Sequence, residues 1–136
     1  MLLGLVSLAW VLIADARERS AAAVFRLPEL RVESVSKGED GREVVLVARN
    51  PDGAPPLEYV SECSIALVGV RTRQGSDWVF QVRGVCGNSI GSAVLEPGAE
   101  TRASVWIEKS GPFQLSLAVR AIGASDWQDA TIELGE

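Results

Sequence analysis

The chain contains no histidine at all. That removes the commonest general base and the commonest transition-metal ligand, and a Ser-His-Asp arrangement cannot be assembled from its many serines. Basic residues are also in deficit. Thirteen Lys and Arg against 18 Asp and Glu give a net charge of -5, and the basic residues are scattered, so the footprint of a phosphate-backbone binder is missing and nucleic acid is not an expected partner. The two cysteines, Cys63 and Cys86, form no Cys-x-x-Cys pair and have no further ligands nearby in sequence, which argues against a redox-active or metal-binding pair. The acidic turn pairs Glu39-Asp40 and Asp52 near Asn50 belong to no calcium-loop pattern and read as solvated turn residues. No cofactor, metal or catalytic constellation is predicted.

Uncharged runs of more than 12 residues are lacking too, with one exception. Residues 1 to 14 carry no charged side chain, whereas Asp15 to Arg19 carry four. The apolar face of this leader consists of Leu2, Leu3, Leu5, Val6, Leu8, Trp10, Val11, Leu12 and Ile13. Its small residues around Asp15 resemble a signal-peptide cleavage site, but the positive residues usual ahead of an apolar signal core are absent. A helix continuing to about residue 25 would be long enough to cross a hydrocarbon core about 30 Å thick if Asp15 to Arg19 lay at the interface. The expectation is a retained helical membrane anchor over 1–25. A cleaved signal and a pilin-type assembly helix are the alternatives, although the chain has Leu5 where bacterial type IV pilins place a glutamate.

After Pro28, which ends any helix, residues 28–136 have room for one domain of about 110 residues. Turn signals punctuate it at Gly38–Gly41, Asn50–Gly53, Gln74-Gly75, Gly87-Asn88, Pro97-Gly98, Gly111-Pro112 and Gly123. Between them run Val-, Ile- and Leu-rich stretches of period two. Seven strands are predicted, at 29–36, 42–50, 59–72, 77–86, 100–109, 113–122 and 129–134. The fold class is mainly β, with a two-sheet antiparallel sandwich preceded by the apolar helix.

A two-residue loop at Gln74-Gly75 would pair positions summing to 149, placing Cys63 opposite Cys86 and Trp78 on the same inward face. In that register Phe80 lies over Gly69. A disulfide between Cys63 and Cys86 would contribute about 3.4 kcal/mol in the chain-entropy model and would place the domain in an oxidising compartment. Of the remaining aromatics, Trp106 alternates with Val105 and Ile107 and is expected to be exposed. Trp127, with Tyr59 or Pro55-Pro56, is expected to form an adhesive patch.

The segment Leu95-Glu-Pro-Gly-Ala-Glu100 leading into one alternating strand, Ser110-Gly-Pro-Phe113 leading into another, and the cysteine hairpin with Asp77-Trp78 together resemble bacterial exported immunoglobulin-like β-sandwich domains. The resemblance covers roughly residues 28 to 134 and implies adhesion, scaffolding or assembly rather than catalysis. The expected function is a non-enzymatic, membrane-anchored accessory subunit whose domain, in the periplasm or on the cell exterior, docks on a membrane complex of respiratory, photosynthetic or other type. Its expected partners are the proteins of that complex and the lipid bilayer. A pilin-like filament subunit and a secreted binding or inhibitor domain are the alternatives.

Overall fold

Alternation builds the strands. Over Phe113–Ala121, residues Phe113, Leu115, Leu117 and Val119 are buried while the intervening side chains face outward, the period-two pattern that lets one face of a sheet enter a core. The computed structural model describes residues 24–63, 65–81 and 90–135. Over these residues the chain is mainly β: β1 (Glu29–Lys37), β2 (Arg42–Arg49), β3 (Leu57–Glu62), β4 (Ile65–Ala66), β5 (Val68–Gln74), β6 (Asp77–Phe80), β7 (Ile90–Leu95), β8 (Glu100–Ile107), β9 (Phe113–Ala121) and β10 (Gln128–Leu134). The helix expected over 1–25 lies outside the described residues except for its last two positions, and Val24 to Pro28 form no regular structure.

All strand pairs are antiparallel. One sheet has the order β1-β2-β8. In the other, β9 is central: β10 pairs along one edge, and β5 and then β3 share the opposite edge. There β7 joins the free side of β3, and β6 joins β5. Inward residues of both sheets form one cluster, with Val44, Leu46, Ala103, Val105 and Ile107 from the small sheet against Leu57, Tyr59, Val68, Val70 and the β9 row from the large one. The arrangement is sandwich-like, and full burial of each large aliphatic side chain contributes about 1.5–3 kcal/mol.

The buried polar residue Asn50 ties two turns together at one end. Its Nδ2 donates to Pro55 O at 2.9 Å and Leu95 O at 3.1 Å, while its backbone N–H donates to Ala99 O. Asp52 is solvated as expected, with 82% of its side chain exposed, and also pairs with Arg49 at 2.8 Å.

Three sequence expectations change. The described residues contain ten strands rather than seven. The run 59–72 is broken where Cys63 adopts φ 51°, so that the chain reverses between Glu62 and Ile65; β5 then leaves β3 to pair with β9. β7 occupies a stretch read as connection, since Ile90–Leu95 mixes apolar with small residues and shows little contrast between its faces. In the third change, the hairpin tip is Gly75-Ser76, with Gln74 opposite Asp77 and Arg71 opposite Phe80. This shifts the predicted register by two, and because strands have a period of two, every side chain keeps its pairing face. The inward face is nevertheless the other one: Ala66, Val68, Val70 and Thr72 are buried. Trp78, expected inside, is half-buried on the outer side, its ring 5.3 Å from the Arg73 guanidinium. Cys63 therefore sits in a turn rather than across a ladder. Among the described residues no cysteine is free, and Cys86 lies outside them.

Candidate interaction surface

The outward faces of the two sheets are finished differently. On the small sheet, cross-strand neighbours bring opposite charges together. Arg31 contacts Glu100 at 3.0 Å, Arg102 contacts Glu33 at 3.2 Å and Glu100 at 3.5 Å, and Arg49 lies between Glu29 and Asp52. Beneath them Val47, between Arg31 and Arg102 in register, is fully buried although it points away from the core; the long stems of the charged residues cover it. The hydrogen bond from Arg31, aided by the charges of Arg31, Arg102 and Arg49, holds the Glu100 carboxyl below its ordinary pKa range against the opposing effect of desolvation. Glu33 raises Arg102 and Asp52 raises Arg49, each chiefly through a hydrogen bond.

The large sheet carries a mainly apolar depression of about 260 Å³ instead, lined by Val60, Leu67, Gly69, Phe80, Ser116 and Ala118 together with the carboxylate-bearing Asp129. Gly69 makes it possible. A Cβ there would lie 2.6 Å from Ser116 Oγ and 3.4 Å from Phe80 Cε2, so the aromatic ring rests over bare backbone as the sequence suggested. Phe80 is 56% exposed. Ile65 and Ile90, both paired with Glu62, and Val94, paired with Glu58, add exposed apolar side chains on the same face. Among the described residues no lattice of ion pairs covers this depression. Glu58 and Arg120 form an ion pair of 2.6 Å on the same sheet, at the end where β3 meets β9.

The three aromatics singled out by sequence are not brought together. Tyr59 is buried, and its hydroxyl accepts a hydrogen bond from Thr101 Oγ1 at 3.4 Å. The adhesive patch of Trp127 with Tyr59 is therefore not built, because alternation turns Tyr59 inward and presents Glu58 instead. Trp127 lies 4.2 Å from the Arg120 guanidinium, which donates to Glu58; a cation held against the ring in this way occupies its face. Trp106 is exposed as expected, on the small sheet, and packs against Gly38 and Gly41 of the β1–β2 turn. Sequence reading missed Ile65, Ile90 and Val94. The signal available was the proximity of Gly69 and Phe80, which was read as packing alone.

Among the described residues no group of three or more His, Cys, Asp or Glu is placed to hold a metal ion. The run Gly87-Asn-Ser-Ile-Gly91 has the spelling of a nucleophile elbow, a motif the sequence reading overlooked. An elbow needs a helix after its turn, whereas Ile90 begins β7. Ser89 itself lies outside the described residues. The apolar segment Leu2 to Ile13 is also outside them, and no helix among the described residues is long and apolar enough to cross a membrane. Compared with known proteins, the chain matches no family model and no curated protein.

Proposed function

We propose that this chain is a non-catalytic, membrane-anchored accessory subunit that docks on a protein of a membrane complex through the outer face of its large sheet. The carrying observation is the uncovered apolar depression around Phe80, beside a small sheet whose outer face is closed by ion pairs. An apolar patch rimmed by polar residues suits a protein interface. The apolar leader, Leu2 to Ile13, holds the domain at the bilayer, and a Cys63–Cys86 bridge stabilises it in the periplasm or on the cell exterior. The strand order supports an immunoglobulin-like sandwich: first, second and fifth strands of such a fold correspond to β1-β2-β8, and third, sixth and seventh to β3-β9-β10, with β4 to β7 inserted between.

The test is site-specific photo-crosslinking from position 80 in native membranes, with position 104 on the small sheet as the control. A discrete crosslinked partner from position 80 alone is expected, together with an intact N-terminus by mass spectrometry. A soluble mature form beginning near Arg17 would replace the anchored reading by a secreted binding domain, and equal crosslinking from both positions would remove the docking face.

A further inference from the structure

At the end of the sandwich formed by the β1–β2 and β8–β9 turns, Arg42 is a buried cation without a counterion among the described residues. It begins β2 on the inward-facing register of Val44 and Leu46 and is only 7% exposed. Its guanidinium lies 4.8 Å from the Phe113 ring centroid, and Nη2 donates to Lys109 O at 2.6 Å and Gly111 O at 3.0 Å. Nε is sealed from solvent with no partner. Nη1 makes no hydrogen bond, and among the described residues no carboxylate pairs with Arg42. Two carbonyls and a ring face offset part of the desolvation of a guanidinium, but a buried charge is normally paired.

Arg42 lines a cleft of about 370 Å³ formed by residues 37–42 and 108–111. The cleft is structurally fixed: Gly38 N–H donates to Gly41 O at 2.8 Å, and Gly41, with φ 155°, lies so close to β8 that a Cβ would stand 2.6 Å from Ile107 O and 2.9 Å from the Trp106 ring. The β1–β2 turn therefore cannot move away from β8 without breaking these contacts.

We propose that this cleft binds a small monocarboxylate, with Arg42 supplying the charge-assisted contact and Lys37 and Lys109 the outer attraction. With Nε sealed and Nη2 committed to two carbonyls, Nη1 is the donor left for a ligand, and a charge-assisted bond from it suits a carboxylate oxygen. The cleft also holds Glu39, Asp40 and Glu108, whose repulsion selects against a phosphate dianion. This site lies apart from the Phe80 depression and does not depend on the docking role.

The experiment is an acetate titration of the full-length ¹⁵N-labelled chain at constant ionic strength, with chloride exchanged for acetate and phosphate as a second arm. Saturable shifts confined to the Arg42 Nε–H and the amides of residues 38–42 and 108–111 are expected with acetate. Arg42→Lys should weaken binding roughly tenfold by losing the Nη1 donor. Because that variant strips two turn contacts, Lys109→Ala is the companion: its side chain makes no contact in the core, and it should weaken acetate binding while leaving the remaining spectrum unchanged. Shifts that do not saturate, that are unchanged in Lys109→Ala, or that are matched by phosphate at equal concentration would overturn the assignment.

Discussion

The two outer faces of this sandwich differ in how they meet solvent. The three-stranded face hides Val47 under Arg31, Glu33, Arg49, Glu100 and Arg102, which satisfy one another. The large face leaves Phe80, Ile65, Ile90 and Val94 exposed around a groove made by a missing side chain at Gly69. Both faces belong to sheets with a common core, so the contrast does not come from folding. One face is closed by ion pairs except at Trp106, and the other leaves apolar side chains in solvent, the contrast on which the proposed docking face rests.

The comparison presupposes that common core, and the largest effect tests it. Phe113→Ala should cost about 3–5 kcal/mol in urea unfolding, since the ring is fully buried between the sheets; a loss below about 1 kcal/mol would mean that the sheets fold separately. Gly69→Val attacks the groove directly. The new side chain meets Ser116 Oγ and Phe80, so destabilisation of about 1–3 kcal/mol is expected, together with loss of crosslinking from position 80. Phe80→Ser separates docking from stability: thermal unfolding should move within about 0.5 kcal/mol, while partner capture is lost.

The smallest effect concerns the charged face. Glu100 has a folded pKa below its ordinary value of 4.5, first because Arg31 hydrogen-bonds to it. A carboxylate with a depressed folded pKa contributes stability that is fully present above the unfolded pKa and disappears as pH falls through the folded one. The melting temperature should therefore drop in acid below pH 4.5, less so in high salt. Glu100→Gln should flatten part of that drop, whereas Phe80→Ser should leave the pH profile unchanged. An identical profile for wild type and Glu100→Gln would show that the ion pairs are unimportant to this face.

Much of the architecture was legible because it rests on local pattern. The alternation of Phe113, Leu115, Leu117 and Val119 and the turn residues at Asn50–Gly53, Pro97-Gly98, Gly111-Pro112 and Gly123 are borne out. The split of the 59–72 run was not legible, because a left-handed Cys63 has no distinctive local signature; glycine and asparagine are the usual residues there. Arg42 could have been suspected, since it shares its parity with Val44, Leu46 and Ala48. What sequence could not reveal is that the β1–β2 hairpin turn and the β8–β9 connection between the sheets would close over it, nor that Tyr59 would face Thr101 while Glu58 reached Arg120.

The sequence by itself determined that the chain is mainly β, where most of its turns fall, that it lacks histidine chemistry, and that its first residues are apolar. These follow from periodicity, composition and turn propensity, which act over a few neighbouring residues. Tertiary structure alone decided which face of β5 and β6 met the core, which charges found partners and which apolar side chains were left uncovered. Those outcomes depend on residues far apart in the chain being brought into register, as Arg102 with Glu33 and Gly69 with Ser116 show.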